Sequence, residues 1–249
     1  MNLIYQYYVG REVPEFAKIS RFSFTEYADK YGHEYLFSEK RFLPEQKSES
    51  LEYGCRYFDI TRIYMDPFFD DYDYVLFADC DVIAHLRSPD IFDFKPKHIA
   101  GWSEQKHPQG NTGPGYSKGT ENFSQIESSF KDFGAPLIDS TSKHSPTRIL
   151  NSGVLIFSKE ARILAREKFD DWKLWYERDY PLWITLDQLY LSAMFNKYEF
   201  DVLEIDNRWN YTPSWFSRDK QIDSFLYHFS GIGKNEINSF FTKEFEELN

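Results

Sequence analysis

The sequence has only two cysteines in 249 residues, Cys55 and Cys80. That is too few for a disulfide framework and fits a reducing compartment. No apolar run approaches the ~20 residues that a membrane-spanning helix needs. The opening stretch, MNLIYQYYVGREVPEF, lacks the basic-then-apolar pattern of a secretory signal. The expectation is a cytoplasmic protein without a transmembrane segment, with peripheral contact to a membrane left open. Positive charge is scarce as well: 29 Lys and Arg stand against 40 Asp and Glu, a formal net charge of -11. A general nucleic-acid binder needs a basic footprint, so nucleic acid is not an expected partner. A phosphate-bearing substrate would need a local cation, either a metal or a few placed Lys and Arg.

Aromatic residues are abundant, at 19% of the chain. That leaves Tyr and Trp rings beyond the needs of a core, available to stack on sugars or bases. The length suits one large domain or two small ones. No internal repeat or clean linker divides it, so the expectation is a single domain over residues 1–249. The stretch from Glu104 to about 149 is rich in Gly, Pro, Ser, Asn and Lys. It reads as a long flexible insertion, of the kind that is usually functional.

Before that insertion the pattern alternates strand and helix. Leu3–Val9 reads as a strand, Pro14–Gly32 as a helix, Tyr35–Phe37 as a strand and Ser50–Met65 as a helix. Tyr74–Ala78 is a short, wholly apolar run of the kind buried on both faces of a sheet. After the insertion, Val154–Phe157 is another buried strand, Lys159–Tyr176 and Leu186–Phe195 are helices, and Asp201–Ile205 and Phe225–Phe229 are late strands. This order predicts an α/β fold with a mostly parallel sheet. Ligands of such sheets bind beyond the carboxyl ends of the strands.

Asp79 and Asp81 stand at one such end. Two carboxylates in D-x-D spacing can lean towards one hard cation, Mn²⁺ or Mg²⁺, which also bridges phosphate oxygens. The bland alternative is a polar strand end whose acids cap the next helix. His228 follows the last strand and can add a nitrogen ligand to the same ion. Gly231 and Gly233 let backbone approach a diphosphate closely, and Lys234 brings a point charge to it. Singly each signal is weak; together they point to a metal–diphosphate site.

These segments, taken in order, resemble the GT-A fold nucleotide-sugar glycosyltransferases, in particular glycosyltransferase family 8, the glycogenin-like and galactosyltransferase-like group. The matching pieces are Arg62, Tyr74–Asp81 with Val82, Ser88–Phe92, Asn151–Val154, the pair Asp187-Gln188, and His228-x-x-Gly231-x-x-Lys234. The resemblance covers about Leu3 to Lys234. It implies a GT-A, Rossmann-like mixed sheet flanked by helices. It also implies transfer of a sugar, with retention, from a nucleotide diphosphate sugar to a glycan or other hydroxyl acceptor. UDP-sugar is the implied donor, with Mn²⁺ or Mg²⁺ held by Asp79, Asp81 and His228.

By the same resemblance, Arg62 touches the donor's phosphate or sugar, and Asn151, Ser152, Asp187 and Gln188 orient the donor sugar. Asp187 stands nearest the reacting carbon, positioning first and chemical second. Gly231 and Lys234 take the diphosphate. The nucleotide of this fold lies against the first strand, which nominates Tyr7 or Tyr8 to stack on uracil. Two departures are visible: Asn235-Glu236 replaces the Pro-Trp that often follows the final Lys, and the 104–149 insertion matches no family pattern.

Trp209–Phe216 is a candidate acceptor platform, with a ring-anchored loop over the core as its alternative. Trp102, His107 and His144 are further candidates near the insertion, whereas His85 reads as a structural histidine. Three rival functions remain. A haloacid-dehalogenase-type phosphatase also uses D-x-D, but near the chain start and with a later Gly-Asp motif that is lacking here. A non-catalytic sugar- or nucleotide-binding protein has no use for Lys234 and His228 beside a D-x-D. A nucleotidyltransferase needs a Gly-rich loop after its first strand, for which Val9–Glu12 is a poor candidate.

Overall fold

The computed structural model describes residues 1–46, 49–104, 121–136, 149–213, 224–238 and 240–241. Most of the insertion, with His107 and His144, lies outside these residues, as does 214–216 of the aromatic platform.

The first half runs β1 (Asn2–Tyr7), α1 (Glu15–Tyr31), β2 (Glu34–Ser38), α2 (Glu49–Phe58), α3 (Arg62–Met65), β3 (Tyr74–Ala78), β4 (Val82–Ala84) and β5 (Ile99–Ser103). The second runs α4 (Glu121–Asp132), β6 (Leu150–Ser158), α5 (Lys159–Lys168), α6 (Trp172–Tyr176), α7 (Leu182–Thr185), α8 (Asp187–Lys197), β7 (Val202–Glu204) and β8 (Leu226–His228). Six strands form one sheet in the order β2-β1-β3-β6-β5-β7, while β4 and β8 form a separate pair. Only β6 runs against its neighbours; the other pairings in the large sheet are parallel. The α/β, mixed and mostly parallel arrangement expected from the sequence is present.

Side chains alternate across the pleat, and both faces are covered. Tyr5, Val75, Phe77, Leu155 and Phe157 enter a core shared with α2, α4, α6 and α8. Ile4, Leu76, Ala78, Val154 and Ile156 enter a second core with Phe24, Tyr27 and Ala28 of α1. Double burial is why β3 reads as an unbroken apolar run, and why its bounds agree with the sequence reading residue for residue. A third, smaller cluster of Ile83, Tyr211, Tyr227, Phe229 and Ile237 underlies the β4–β8 pair.

Two long helices expected from periodicity are broken, each by an aspartate. Asp59, fully buried, accepts from the backbone N–H groups of Phe42 and Leu43, and the chain turns into 3-10 geometry at that point. Asp171 caps α6 by accepting from the Lys173 N–H, separating it from α5. The Asp171 bond is a local cap of the kind that competes with helix continuation, whereas Asp59 is held by backbone 16 and 17 residues earlier. β4 and β5 were not legible: one has three residues, and the other, Ile-Ala-Gly-Trp-Ser, carries little β-branched signal. The small side of β5 has a purpose, because a Cβ on Gly101 would stand 2.7 Å from Leu155.

The sheet end opposite the site is tied by Arg162 of α5. Its guanidinium is fully buried and donates to the carbonyls of Phe157, Phe69 and Tyr72. Burial pushes its pKa down to about 10, so it stays charged at neutral pH and fixes the entry to β3 against the exit of β6.

Candidate active site

β1, β3 and β5 run in one direction and end together, and the antiparallel β6 starts there. A cleft of about 640 Å³ opens at this edge, lined by Tyr7, Tyr8, Asp79, Asp81, Glu104, Asn151, Ser152, Asp187, Gln188, His228 and Lys234 among others. Residues drawn from six separate stretches of sequence therefore meet, as expected for the carboxyl edge of an α/β sheet.

The turn bearing the two aspartates is held from beneath. The Asp79 N–H donates to the Gly153 carbonyl at 2.9 Å, and the Asp79 carbonyl accepts from Gln6 Nε2 at 2.9 Å. Gln6 is itself fully buried and also accepts from the Tyr35 hydroxyl. Beyond the turn, β4 pairs with β8 so that Val82 stands opposite His228, and the Phe229 N–H donates to the Asp81 carbonyl at 2.9 Å. This register carries His228 to the aspartates across 147 residues of sequence, the difference of 228 and 81.

His228 Nε2 lies 3.4 Å from Asp81 Oδ1 and 3.7 Å from Asp79 Oδ2. One ligand atom from each of the three residues falls within 4.8 Å of the others. Asp81 Oδ1 is buried and meets no hydrogen-bond partner, so a polar atom is aimed at the space the three enclose. Two carboxylates and an imidazole suit a divalent cation with oxygen and nitrogen ligands. The residues fit the ion that the sequence reading implied. Lys234 Nζ lies 3.0 Å from Asp81 Oδ2, on the cleft side.

Electrostatics in the cleft are strained. Burial and the neighbouring Asp81 charge raise the Asp79 carboxyl to about 6, against partial relief from His228 and Lys234. Some 40% of the Asp79 side chain reaches solvent, but it does so at the floor of a cleft, where protein displaces much of the water. Asp81 moves the other way: burial opposes ionisation, but His228 and Lys234 outweigh it and lower its pKa. Burial and the Asp79 charge push Asp187 up to about 7, offset in part by the Ser152 hydroxyl and by backbone N–H groups at the start of α8. A cation among these carboxylates would relieve the repulsion.

A pH dependence follows. Below about 6 a proton occupies Asp79, and a metal must displace it. Burial lowers the His228 pKa, but the facing Asp81 and Asp79 carboxylates outweigh it and raise it, so that ring must shed its proton too. Mn²⁺ affinity is expected to rise steeply between pH 5 and 7, by about tenfold per unit for each proton displaced. Isothermal titration across that range measures it, and an affinity independent of pH would contradict the assignment of Asp79 as a ligand.

The second layer is equally ordered. Asp187 opens α8, where the helix dipole favours an acid. Gln188 Oε1 accepts from the Ser152 N–H at 3.3 Å. Asn151 and Ser152 begin β6, and Gly153 passes so close to His228 that a Cβ would stand 2.3 Å from its Cε1. Gly231 takes φ 63°, with open space where a Cβ would be.

The structure does not bring every nominated residue to the cleft. Arg62 is outside the lining; its guanidinium binds Asp66 at 3.1 Å and Ser38 Oγ at 3.0 Å, over the rings of Tyr5, Phe42 and Phe69. Asp66, four residues along, pairs with that charge. Gly231 is likewise outside the lining, between Ser230 and Lys234, which are in it. The Tyr7 hydroxyl is used to hold the Arg56 and Tyr57 carbonyls, and its ring stacks on Phe77 at 5.7 Å. Tyr8 is half-buried, as Tyr7 is, and both line the cleft. Trp209, Tyr211 and Thr212 are buried, as is Trp102, so these rings are core and not a sugar platform. His85 accepts from the Arg87 N–H and is nearly buried.

Sequence reasoning missed two residues here. Glu104 follows β5 directly and lines the cleft; the unread strand hid it at the start of the insertion. Asn210 lies in the candidate acceptor platform Trp209–Phe216, yet it is fully buried and bonded to His228 and Asn151. A polar residue between two buried rings was the available signal.

The family model for glycosyl transferase family 8 matches residues 14–235. The chain belongs to that family and is a glycosyltransferase. Among solved structures, a glycosyltransferase involved in the glycosylation of the major capsid of PBCV-1 is similar at 14% identity. The alignment covers 97% of this chain and 98% of that one, with a TM-score of 0.52, a likeness of fold. Mouse xyloside xylosyltransferase 1 aligns at 10% identity and TM-score 0.47, over 92% of this chain and 97% of that one. GlyE of Streptococcus pneumoniae TIGR4 aligns at 11% identity and TM-score 0.44, over 99% of this chain and 62% of that one. No curated protein matches the sequence. Among the described residues no helix is long and apolar enough to cross a membrane.

Proposed function

We propose that the chain, acting as one domain, transfers a sugar from a UDP-sugar to a hydroxyl of a glycan or similar acceptor, with retention, using Mn²⁺ at Asp79, Asp81 and His228. One observation carries the reading: three potential ligand atoms converge, one of them a buried carboxylate oxygen without a partner. When bound, the ion supplies Lewis-acid neutralisation of the charge that gathers on the departing diphosphate. Lys234, at the cleft side of Asp81, adds a second positive charge at the same place. Tyr8, on the first strand's exit, is the ring against which the base stacks.

Asp187 and Gln188 face the cleft beside Ser152 and hold the sugar's hydroxyls. With its pKa near 7, Asp187 is able to hold or release a proton at working pH, which suits a group beside a reacting hydroxyl. Asn151 lines the same wall, but its amide oxygen is taken by Gly153 and Asn210, so it contributes at most through its amino group. Arg62 braces the back of β1 through Asp66 and Ser38.

The test is a thermal-unfolding screen with Mn²⁺ and a panel of nucleoside diphosphates, followed by donor turnover. A ligand at 100 times its Kd stabilises the folded state by about 2.7 kcal/mol. UDP with Mn²⁺ is expected to raise Tm more than GDP with Mn²⁺, and EDTA is expected to cancel the shift. Equal shifts from both nucleotides would overturn the choice of uracil; sugar binding without release of nucleoside diphosphate would favour a non-catalytic binder.

A further inference from the structure

We propose that Asn210 is a positioning residue that keeps the His228 proton on Nδ1 and so aims the Nε2 lone pair into the gap between Asp79 and Asp81. The inference rests on reading that gap as a cation site, and it adds a residue that the site's ligands do not include.

Four side chains are joined in a line. Glu104 Oε1 accepts from Asn151 Nδ2 at 2.5 Å. Asn151 Oδ1 accepts from Asn210 Nδ2 at 2.8 Å. Asn210 Oδ1 meets His228 Nδ1 at 2.9 Å. All four residues are buried, Asn210 completely. Inside protein an amide turned the wrong way would leave two like groups facing each other, each without a partner.

The direction of the line is fixed at its far end. A backbone N–H can only donate, and that of Gly153 points at Asn151 Oδ1 from 3.0 Å; that atom is therefore the oxygen. The other end of the same amide faces the acidic side chain of Glu104, which accepts, so that end is the nitrogen. Two independent neighbours agree on the orientation of Asn151. Since Asn151 offers an acceptor, Asn210 must meet it with its amino group. That leaves the Asn210 carbonyl oxygen for the imidazole. A carbonyl oxygen cannot donate, so His228 Nδ1 carries the hydrogen.

A neutral imidazole has a single N–H. With Nδ1 protonated, Nε2 presents a lone pair, 3.4 Å and 3.7 Å from the two aspartates. Without Asn210 the preference would reverse. Two carboxylates facing Nε2 would draw the proton to that nitrogen, and a protonated ring nitrogen cannot bind a metal. The Asn210 carbonyl counters this pull before any ion arrives. Partners of this sort on the remote nitrogen of a ligating histidine set its tautomer and ring orientation. Gly153 completes the arrangement by leaving room for the ring and supplying the N–H that fixes the line.

Long-range ¹H–¹⁵N correlation spectra of full-length, metal-free protein labelled at histidine test the proposal directly. They are recorded at alkaline pH, where the ring is neutral, with His228 identified by its absence from His228→Gln. Wild type is expected to show the hydrogen on Nδ1. Asn210→Asp retains an acceptor for it, though its second oxygen then faces Asn151 Oδ1; it is expected to keep that tautomer and to lose less Mn²⁺ affinity than Asn210→Leu. Asn210→Leu has similar volume but no acceptor; it is expected to move the hydrogen to Nε2 and weaken Mn²⁺ binding by about 10–100-fold, read by electron paramagnetic resonance of free Mn²⁺.

Wild-type tautomer and affinity in Asn210→Leu would overturn the proposal. So would equal losses in the Leu and Asp variants, the mark of a packing role. If wild type binds no Mn²⁺, the cation reading fails, and the metal-free spectra alone still decide for or against Asn210.

Discussion

Asp81→Asn is expected to remove metal-dependent donor turnover, by on the order of 10²–10³-fold or more, while leaving a folded protein. The substitution keeps the shape of the side chain and deletes its charge. Asp81 matters twice. Its Oδ1 is the partnerless buried atom facing the cation gap, and its Oδ2 holds Lys234 at 3.0 Å. Asparagine would lose an anionic ligand and release Lys234 from its place. Global stability is subject to opposing effects. The charge of Asp81 helps raise the Asp79 pKa, so its loss relieves repulsion, whereas His228 and Lys234 lose a partner. Urea unfolding of the metal-free variant is therefore expected to stay close to wild type, and the Tm rise from Mn²⁺ with UDP is expected to vanish. Turnover that persists in this variant and in EDTA would refute metal-dependent chemistry.

Gly153→Ala is expected to do comparable damage from outside the ligand set. The added Cβ would stand 2.3 Å from His228 Cε1, 2.8 Å from its Nδ1 and 3.0 Å from Asn151 Oδ1. None of these atoms is the free end of a flexible chain. The ring is buried between β4, β8 and the amide line, and β6 is buried along its whole length. Overpacking of this sort typically costs about 1–3 kcal/mol. The cheapest relief is rotation of the His228 ring away from Asp79 and Asp81, which would unmake the cation site. Mn²⁺ binding is expected to weaken by about 10–100-fold, the scale seen when a ligating histidine loses its orientation. Calorimetry would read that change, with circular dichroism as the check on folding. A variant that binds Mn²⁺ as wild type does would show that His228 is not a ligand.

The two predictions also mark what could be read from the sequence and what could not. Asp79 and Asp81 were legible because the strand before them is buried on both faces and so appears as five apolar residues in a row. His228 and Lys234 were legible because a polar motif follows another buried strand. What joined them was the β4–β8 pairing, and β4 has only three residues, too few to leave a periodic signal. Gly153 could be recognised as part of a motif, but its closeness to His228 is a fact of tertiary packing. For Arg62, the sequence did not reveal that Asp66 would pair with it one helical turn later. The buried aromatics of Trp209–Thr212 were ambiguous for a different reason: rings that stack on a sugar and rings that fill a core have the same composition.

Asn210 shows the limit most clearly. Its partners come from β6 and β8, separated from it by 59 and 18 residues, and its importance lies in which of its two amide atoms faces which neighbour. No pattern in one sequence encodes that choice. The chemistry of the neighbours does, once the fold has brought them together.

The most direct measurement is anomalous diffraction at the manganese edge from crystals soaked with Mn²⁺ and UDP. The account predicts a single peak enclosed by Asp79, Asp81 and His228 and adjoining the diphosphate. A map with no peak there, or with manganese bound elsewhere while His228 turns from the two carboxylates, would contradict it.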